Sequence, residues 1–147
     1  MKKQLLKTIP LLLVIGLLIP ALTAIAAPLY AGVNVTADST AKSGIPGSVV
    51  TYTITVENTT TDATNITVSA NSASGWTAPV VNPSALSLAP KTDPADPAST
   101  KSVVISVPIP STATSGQNDI TTVTITDSTH TETSTLQFVT TASIPSP

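Results

Sequence analysis

The sequence contains no cysteine and no arginine, and it has one histidine, one tryptophan, one phenylalanine and two tyrosines in 147 residues. Without cysteine there is no disulfide framework, no thiolate metal site, no cysteine nucleophile and no cysteine for a lipid anchor. A single histidine excludes a zinc site built on a histidine pair. Charge is scarce as well. Beyond the first seven residues there are three lysines (Lys42, Lys91, Lys101) against eight acids. That balance gives no basic footprint for nucleic acid and no polybasic patch for anionic lipid.

Two features account for what is present. The first is at the N-terminus, where Lys2, Lys3 and Lys7 precede the uncharged apolar run from Ile9 to Leu22. Pro20 interrupts any helix before Ala24-Ile25-Ala26, a small-x-small cleavage signature. The pattern is that of a signal peptide over residues 1–26, cut after Ala26, leaving residues 27–147 as one domain with a short C-terminal tail. If the segment were retained, it would be the chain's only membrane contact, being barely long enough to span about 30 Å of hydrocarbon.

The second feature is alternation of apolar and polar residues through nearly all of the remaining chain. Val50, Tyr52, Ile54 and Val56 share one face of a strand, while Thr51, Thr53, Thr55 and Glu57 share the other. The rhythm returns at Val33 and Val35, Ile66 and Val68, Val103, Ile105 and Val107, Val123 and Ile125, and Leu136 and Phe138. Such alternation means strands with one face on a core and one in water. Turn residues punctuate it: Gly44-Ile45-Pro46-Gly47, Asn58 to Asp62, Gly75, Pro79, Pro83, Pro90, Pro108, Pro110 and Gly116. The spacing predicts seven or eight antiparallel strands, near 33–38, 48–57, 64–71, 75–81, 85–88, 101–107, 119–127 and 133–141. The fold class is therefore all-β, an Ig-like Greek-key β-sandwich, with Trp76, Leu86 and Leu88 completing its core. Residues 91–100 read as a loop. Thr and Ser supply about a third of the domain, and threonine favours strands while its hydroxyl satisfies water. An uncharged, Thr-rich edge is correspondingly open to a further strand, and residues 33–37, without charge or proline, are the expected edge.

Gly47, the strand Tyr52-Thr53-Ile54-Thr55-Val56 and Asn58-Thr59 are followed by Gly75-Trp76, Leu86-Ser87-Leu88-Ala89-Pro90, Val103 to Val107, Pro110 and Ser115-Gly116. In that order they resemble the alpha-galactosidase-associated (NPCBM-associated) Ig-like domain and the cell-adhesion-related domain of bacteria. The resemblance covers residues 32–142. It implies a bacterial Ig-like surface module, of the kind appended to secreted glycosidases and proteases or repeated in surface proteins. The chain differs from that pattern in standing alone after its signal peptide and in a longer 91–100 loop.

Candidate chemistry is sparse. His130 lies close to Asp127 and Glu132, but Asp127-Ser128-Thr129-His130-Thr131-Glu132 reads as a polar hairpin turn, and no Gly-x-Ser-x-Gly elbow is present. Glu57 and Glu132, the only glutamates, sit at strand ends rather than facing a sugar cleft. Asp93 and Asp96 could offer oxygen ligands to one Ca²⁺, without the EF-hand spacing. Trp76 is the residue on which carbohydrate binding would rest, with Tyr30 the remaining ring outside the inward phase. The triplets starting at Asn34, Asn58 and Asn65 are N-glycosylation acceptors only in a host with that pathway.

The sequence thus predicts no enzyme, no catalytic residue, no cofactor and no firm metal site. It predicts a secreted or cell-surface structural or interaction module whose partners are copies of itself, other surface proteins or polysaccharide. Self-assembly into a polymer is expected of a single small domain acting through its edges. A carbohydrate-binding module resting on Trp76 is the alternative.

Overall fold

A computed structural model describes residues 28–30, 32–92 and 97–144. The segment read as a signal peptide, the candidate calcium ligands Asp93 and Asp96, and residues 145–147 of the tail lie outside the described residues.

Ten strands form two five-stranded sheets. They are β1 (Pro28–Tyr30), β2 (Val33–Ala37), β3 (Ala41–Gly44), β4 (Val49–Asn58), β5 (Thr64–Ser72), β6 (Val80–Asn82), β7 (Ala85–Leu88), β8 (Thr100–Pro108), β9 (Asn118–Asp127) and β10 (Glu132–Ala142). One sheet runs β1-β2-β4-β8-β6 and the other β3-β10-β9-β5-β7. The alternating apolar residues meet between them. Tyr52, Ile54, Val56, Val103, Ile105 and Val107 from the first sheet, and Ile66, Ile125, Val123 and Phe138 from the second, are all buried. The Tyr52 and Phe138 rings stack with centroids 4.5 Å apart, joining the sheets at their middle. Trp76, Leu86 and Leu88 belong to the same core, as their phase predicts.

Three expectations need correction. The strand placed at 75–81 is reduced to β6, because Gly75 adopts a left-handed φ of 71° and Pro79 follows close behind. Two short strands, β1 and β3, carry no apolar alternation and were not expected. Finally, residues 33–37 are not an edge: β2 lies between β1 and β4, pairing with β4 from Val33↔Asn58 to Ala37↔Ile54.

β3 also departs from an all-antiparallel scheme. The chain leaves the first sheet after Ala37, turns through residues 38–40, and joins the second sheet beside β10, parallel to it, with Ala41 opposite Val139 and Gly44 opposite Ala142. Gly44 is required at the end of this step. A Cβ there would lie 2.8 Å from Val50 Cγ2 and 2.9 Å from Ser48 Oγ, so the next turn could not fold back as closely.

Candidate functional site

The residues with chemical potential are scattered. His130 occupies the β9–β10 turn, as expected. Its Nδ1 is 2.7 Å from Asp127 Oδ2, while Asp127 Oδ1 accepts the Thr64 hydroxyl at 2.6 Å and the Thr129 amide at 2.7 Å. Asp127 is buried, so this carboxylate ties the turn to β5. The neighbouring Ser128 hydroxyl donates to the Asn65 carbonyl and is not aimed at the imidazole. Asp119, at the other end of β9, is also fully buried and accepts from Ser72 Oγ, the Ser74 amide and Thr121 Oγ1. Both acids share the inward phase of Thr121, Val123 and Ile125. That phase was the available signal for their burial; Asp127 was read as part of the hairpin turn, and Asp119 was not singled out.

Glu57 and Glu132 lie on different sheets. Glu57 makes an ion pair with Lys91 and receives Asn34 Nδ2 at 3.4 Å. The Lys91 ammonium holds its carboxyl below the usual range against the opposing effect of burial. Glu132 begins β10 and is exposed. Trp76 is only 7 % exposed and offers no face to a sugar ring, although its indole nitrogen has no hydrogen-bond partner. Of the three glycosylation triplets, Asn58 is fully buried and its amide donates to the Asp62 and Ala89 carbonyls. Asn65 is exposed and Asn34 half-buried. Among the described residues, no three His, Asp or Glu side chains gather as a metal would require.

A depression of about 500 Å³ lies at one end of the sandwich, lined by Lys42, Ser43, Ser115, Gly116, Thr141 and Ser143 among others. Its one charged group is already committed. Lys42 Nζ bonds Asp38 Oδ2 and the Thr51 carbonyl, both at 2.6 Å. No acid–base pair faces the depression.

The more informative geometry surrounds the strand switch. Because the chain changes sheets between β2 and β3, it protects only half of each neighbouring strand and leaves two backbone gaps. On β4 the gap is closed by side chains. Asp38 Oδ1 accepts the Thr53 amide at 3.1 Å, and Lys42 Nζ takes the Thr51 carbonyl. Burial tends to raise the Asp38 carboxyl, but the bonds from Lys42 and Thr53 outweigh it and hold the group below its ordinary value. The Tyr52 hydroxyl completes the closure from within, accepting the Lys42 amide at 3.1 Å and lying 2.8 Å from the Val139 carbonyl and 3.0 Å from Thr140 Oγ1. Burial raises this phenol, the Thr140 bond offsetting part of the effect.

On β10 the matching gap has no such closure. β3 covers only Val139 to Ala142, whereas β10 pairs with β9 from Glu132 onward. The Val139 amide points outward to the Thr40 carbonyl. Backbone direction alternates along a strand, so Thr133, Thr135 and Gln137 also turn their N–H and C=O groups outward. Among the described residues no strand is hydrogen-bonded to 132–138 on that side, but β1 packs against β10. Sequence reasoning placed the vulnerable edge on β2; strand order, which alternation does not encode, makes β2 interior.

No protein-family model matches the sequence, and no curated protein matches it either. Solved structures do. A family 123 glycoside hydrolase from Clostridium perfringens, described for glycolipid glycan hydrolysis, aligns at TM-score 0.59 and 12 % identity over 78 % of this chain. The match spans only 28 % of that hydrolase. The human CEP192 PapD-like domain 7 aligns at TM-score 0.50 and 15 % identity, over 86 % of this chain and 97 % of that domain. The chain therefore has an Ig-like, PapD-like β-sandwich fold.

Proposed function

We propose that the chain is an exported, non-enzymatic structural or interaction module of the cell surface, working through sheet edges and faces and taking proteins, copies of itself included, as partners. The observation that carries this reading is a two-sheet sandwich whose outer strand faces are largely Thr and Ser, with no catalytic cluster among the described residues. Export is supported by the lysine-flanked apolar N-terminus with its small-x-small site. The resemblance to bacterial surface modules agrees with both. The polysaccharide alternative would require Trp76 to leave the core.

Mass spectrometry of protein recovered from the cell exterior, with protease shaving of intact cells, tests the reading. The expected outcome is a chain beginning at Ala27 that is cleaved by protease added outside. A full-length chain confined to the cytosol would overturn it.

A further inference from the structure

Three triplets of the chain have the form of an N-glycosylation acceptor, and in a Thr-rich sequence that form alone does not rank them. The fold ranks them by what each amide nitrogen is doing. Asn34 Nδ2, on a half-buried side chain, donates to Glu57 Oε2 at 3.4 Å. Asn58 is fully buried, and its Nδ2 donates to the Asp62 and Ala89 carbonyls at 2.7 and 2.9 Å. A sugar on Asn58 would forfeit both bonds and force a hydrated group into the interior, so a chain modified there could not adopt this fold. Asn65 is exposed, and among the described residues its Nδ2 has no hydrogen-bond partner.

We propose that Asn65 is an N-glycan acceptor, carrying an oligosaccharide on its Nδ2 at the cell exterior. The inference rests on the export reading and adds a covalent modification to it.

The surroundings of Asn65 suit that role. β5 alternates, so Asn65 and Thr67 are exposed on one face while Ile66 between them is buried. The asparagine and the hydroxyl of the triplet are therefore offered to the same side. The backbone is fixed: the Asn65 carbonyl accepts the Ser128 amide and Ser128 Oγ, both at 3.0 Å, and its amide donates to Thr129 Oγ1 at 3.1 Å. On β7, Ser87 Oγ donates to Asn65 Oδ1 at 2.7 Å, which holds the carboxamide and leaves Nδ2 uncommitted. The nearest outward neighbours, Thr67, Ala85 and Ser87, are small and exposed, so they leave room for a first sugar ring.

A glycan here also meets a need of the molecule. On the outer face of the same sheet, one row runs Thr67, Thr126, Thr133 and the next Ser69, Thr124, Thr135, and neither carries a charge. A hydrated oligosaccharide beside such a face supplies the solubility that its side chains do not. In the transfer, Asn65 Nδ2 bonds to the anomeric carbon of a lipid-phosphate-linked sugar donor. The bond from that carbon to the phosphate oxygen breaks, the phosphate leaves with the electron pair, and the amide proton passes to a base of the membrane transferase.

Mass spectrometry of the full chain recovered from the exterior of its own cells reads the modification. Cleavage at Asp62 separates Asn58 from Asn65. The expected result is sugar mass on the Asn65 fragment and none on Asn34 or Asn58, with enzymatic release of the glycan converting Asn65 to aspartate. Asn65→Gln and Thr67→Val should abolish the added mass, whereas Thr67→Ser and Asn34→Gln should keep it. Both altered positions are exposed, so circular dichroism should report a folded sandwich in each variant. Three results would overturn the proposal: an exported chain with Asn65 bare, sugar on Asn34 or Asn58 instead, or sugar that survives Asn65→Gln on Ser or Thr hydroxyls. Each would leave the surface reading standing, since that is decided by processing and shaving.

Discussion

At the residue scale, Tyr52 ties the two sheets together. Its ring packs on Phe138 and its hydroxyl reaches β3 and β10 from β4. Tyr52→Phe preserves the ring but leaves the Lys42 amide and the Thr140 hydroxyl without this partner. Chemical denaturation should show a loss of about 1–3 kcal/mol, the cost of stranding buried polar groups. The phenol also gives stability a pH dependence. Burial raises its folded value above the ordinary 10.0, so above that pH the unfolded chain releases a proton that the folded chain retains. Stability from this group is complete below 10.0 and is lost as pH rises toward the raised folded value. The wild-type advantage over Tyr52→Phe should therefore shrink in alkali, and an unchanged difference would show that the hydroxyl is not held as described. The apolar role of Tyr52 was legible in its phase with Ile54 and Val56. Its polar role was not, because Lys42 and Thr140 come near it only after the chain changes sheets.

Among the elements, legibility followed alternation. β4, β5, β8, β9 and β10 fall within one residue of their expected limits, because period-2 patterning over nine or more residues leaves little ambiguity. β3 was invisible. Ala41-Lys42-Ser43-Gly44 has no apolar face of its own and is a strand only because β10 supplies hydrogen-bonding groups beside it. β1 was equally invisible, and its omission misplaced the expected edge. Without β1, residues 33–37 looked like a free first strand; with it, β2 is interior. Thr36 is exposed on the outer face of β2, so Thr36→Lys should change stability by no more than about 0.5 kcal/mol in chemical denaturation.

For the whole molecule, composition and rhythm defined a β-sandwich without defining which strands are neighbours. Neighbour relations depend on where the chain crosses between sheets, and the crossing at residues 38–40 is set by particular bonds: the Asp38 amide to the Thr53 carbonyl, the Lys42 ammonium to Asp38, and the Val139 amide to the Thr40 carbonyl. The crossing also determines how the domain would carry tension. β3 follows the crossing, β10 precedes the C-terminus, and the two run side by side in the same direction. A pull applied through Thr40 and the C-terminus slides one strand along the other, loading their hydrogen bonds together. A pull through Gln117 and the C-terminus instead opens the antiparallel β9–β10 hairpin from its free end, one bond at a time. Single-molecule stretching should therefore find a distinctly higher rupture force in the first geometry, and equal forces would refute the idea. The parallel pair makes the domain a stiff link along the direction of those two strands.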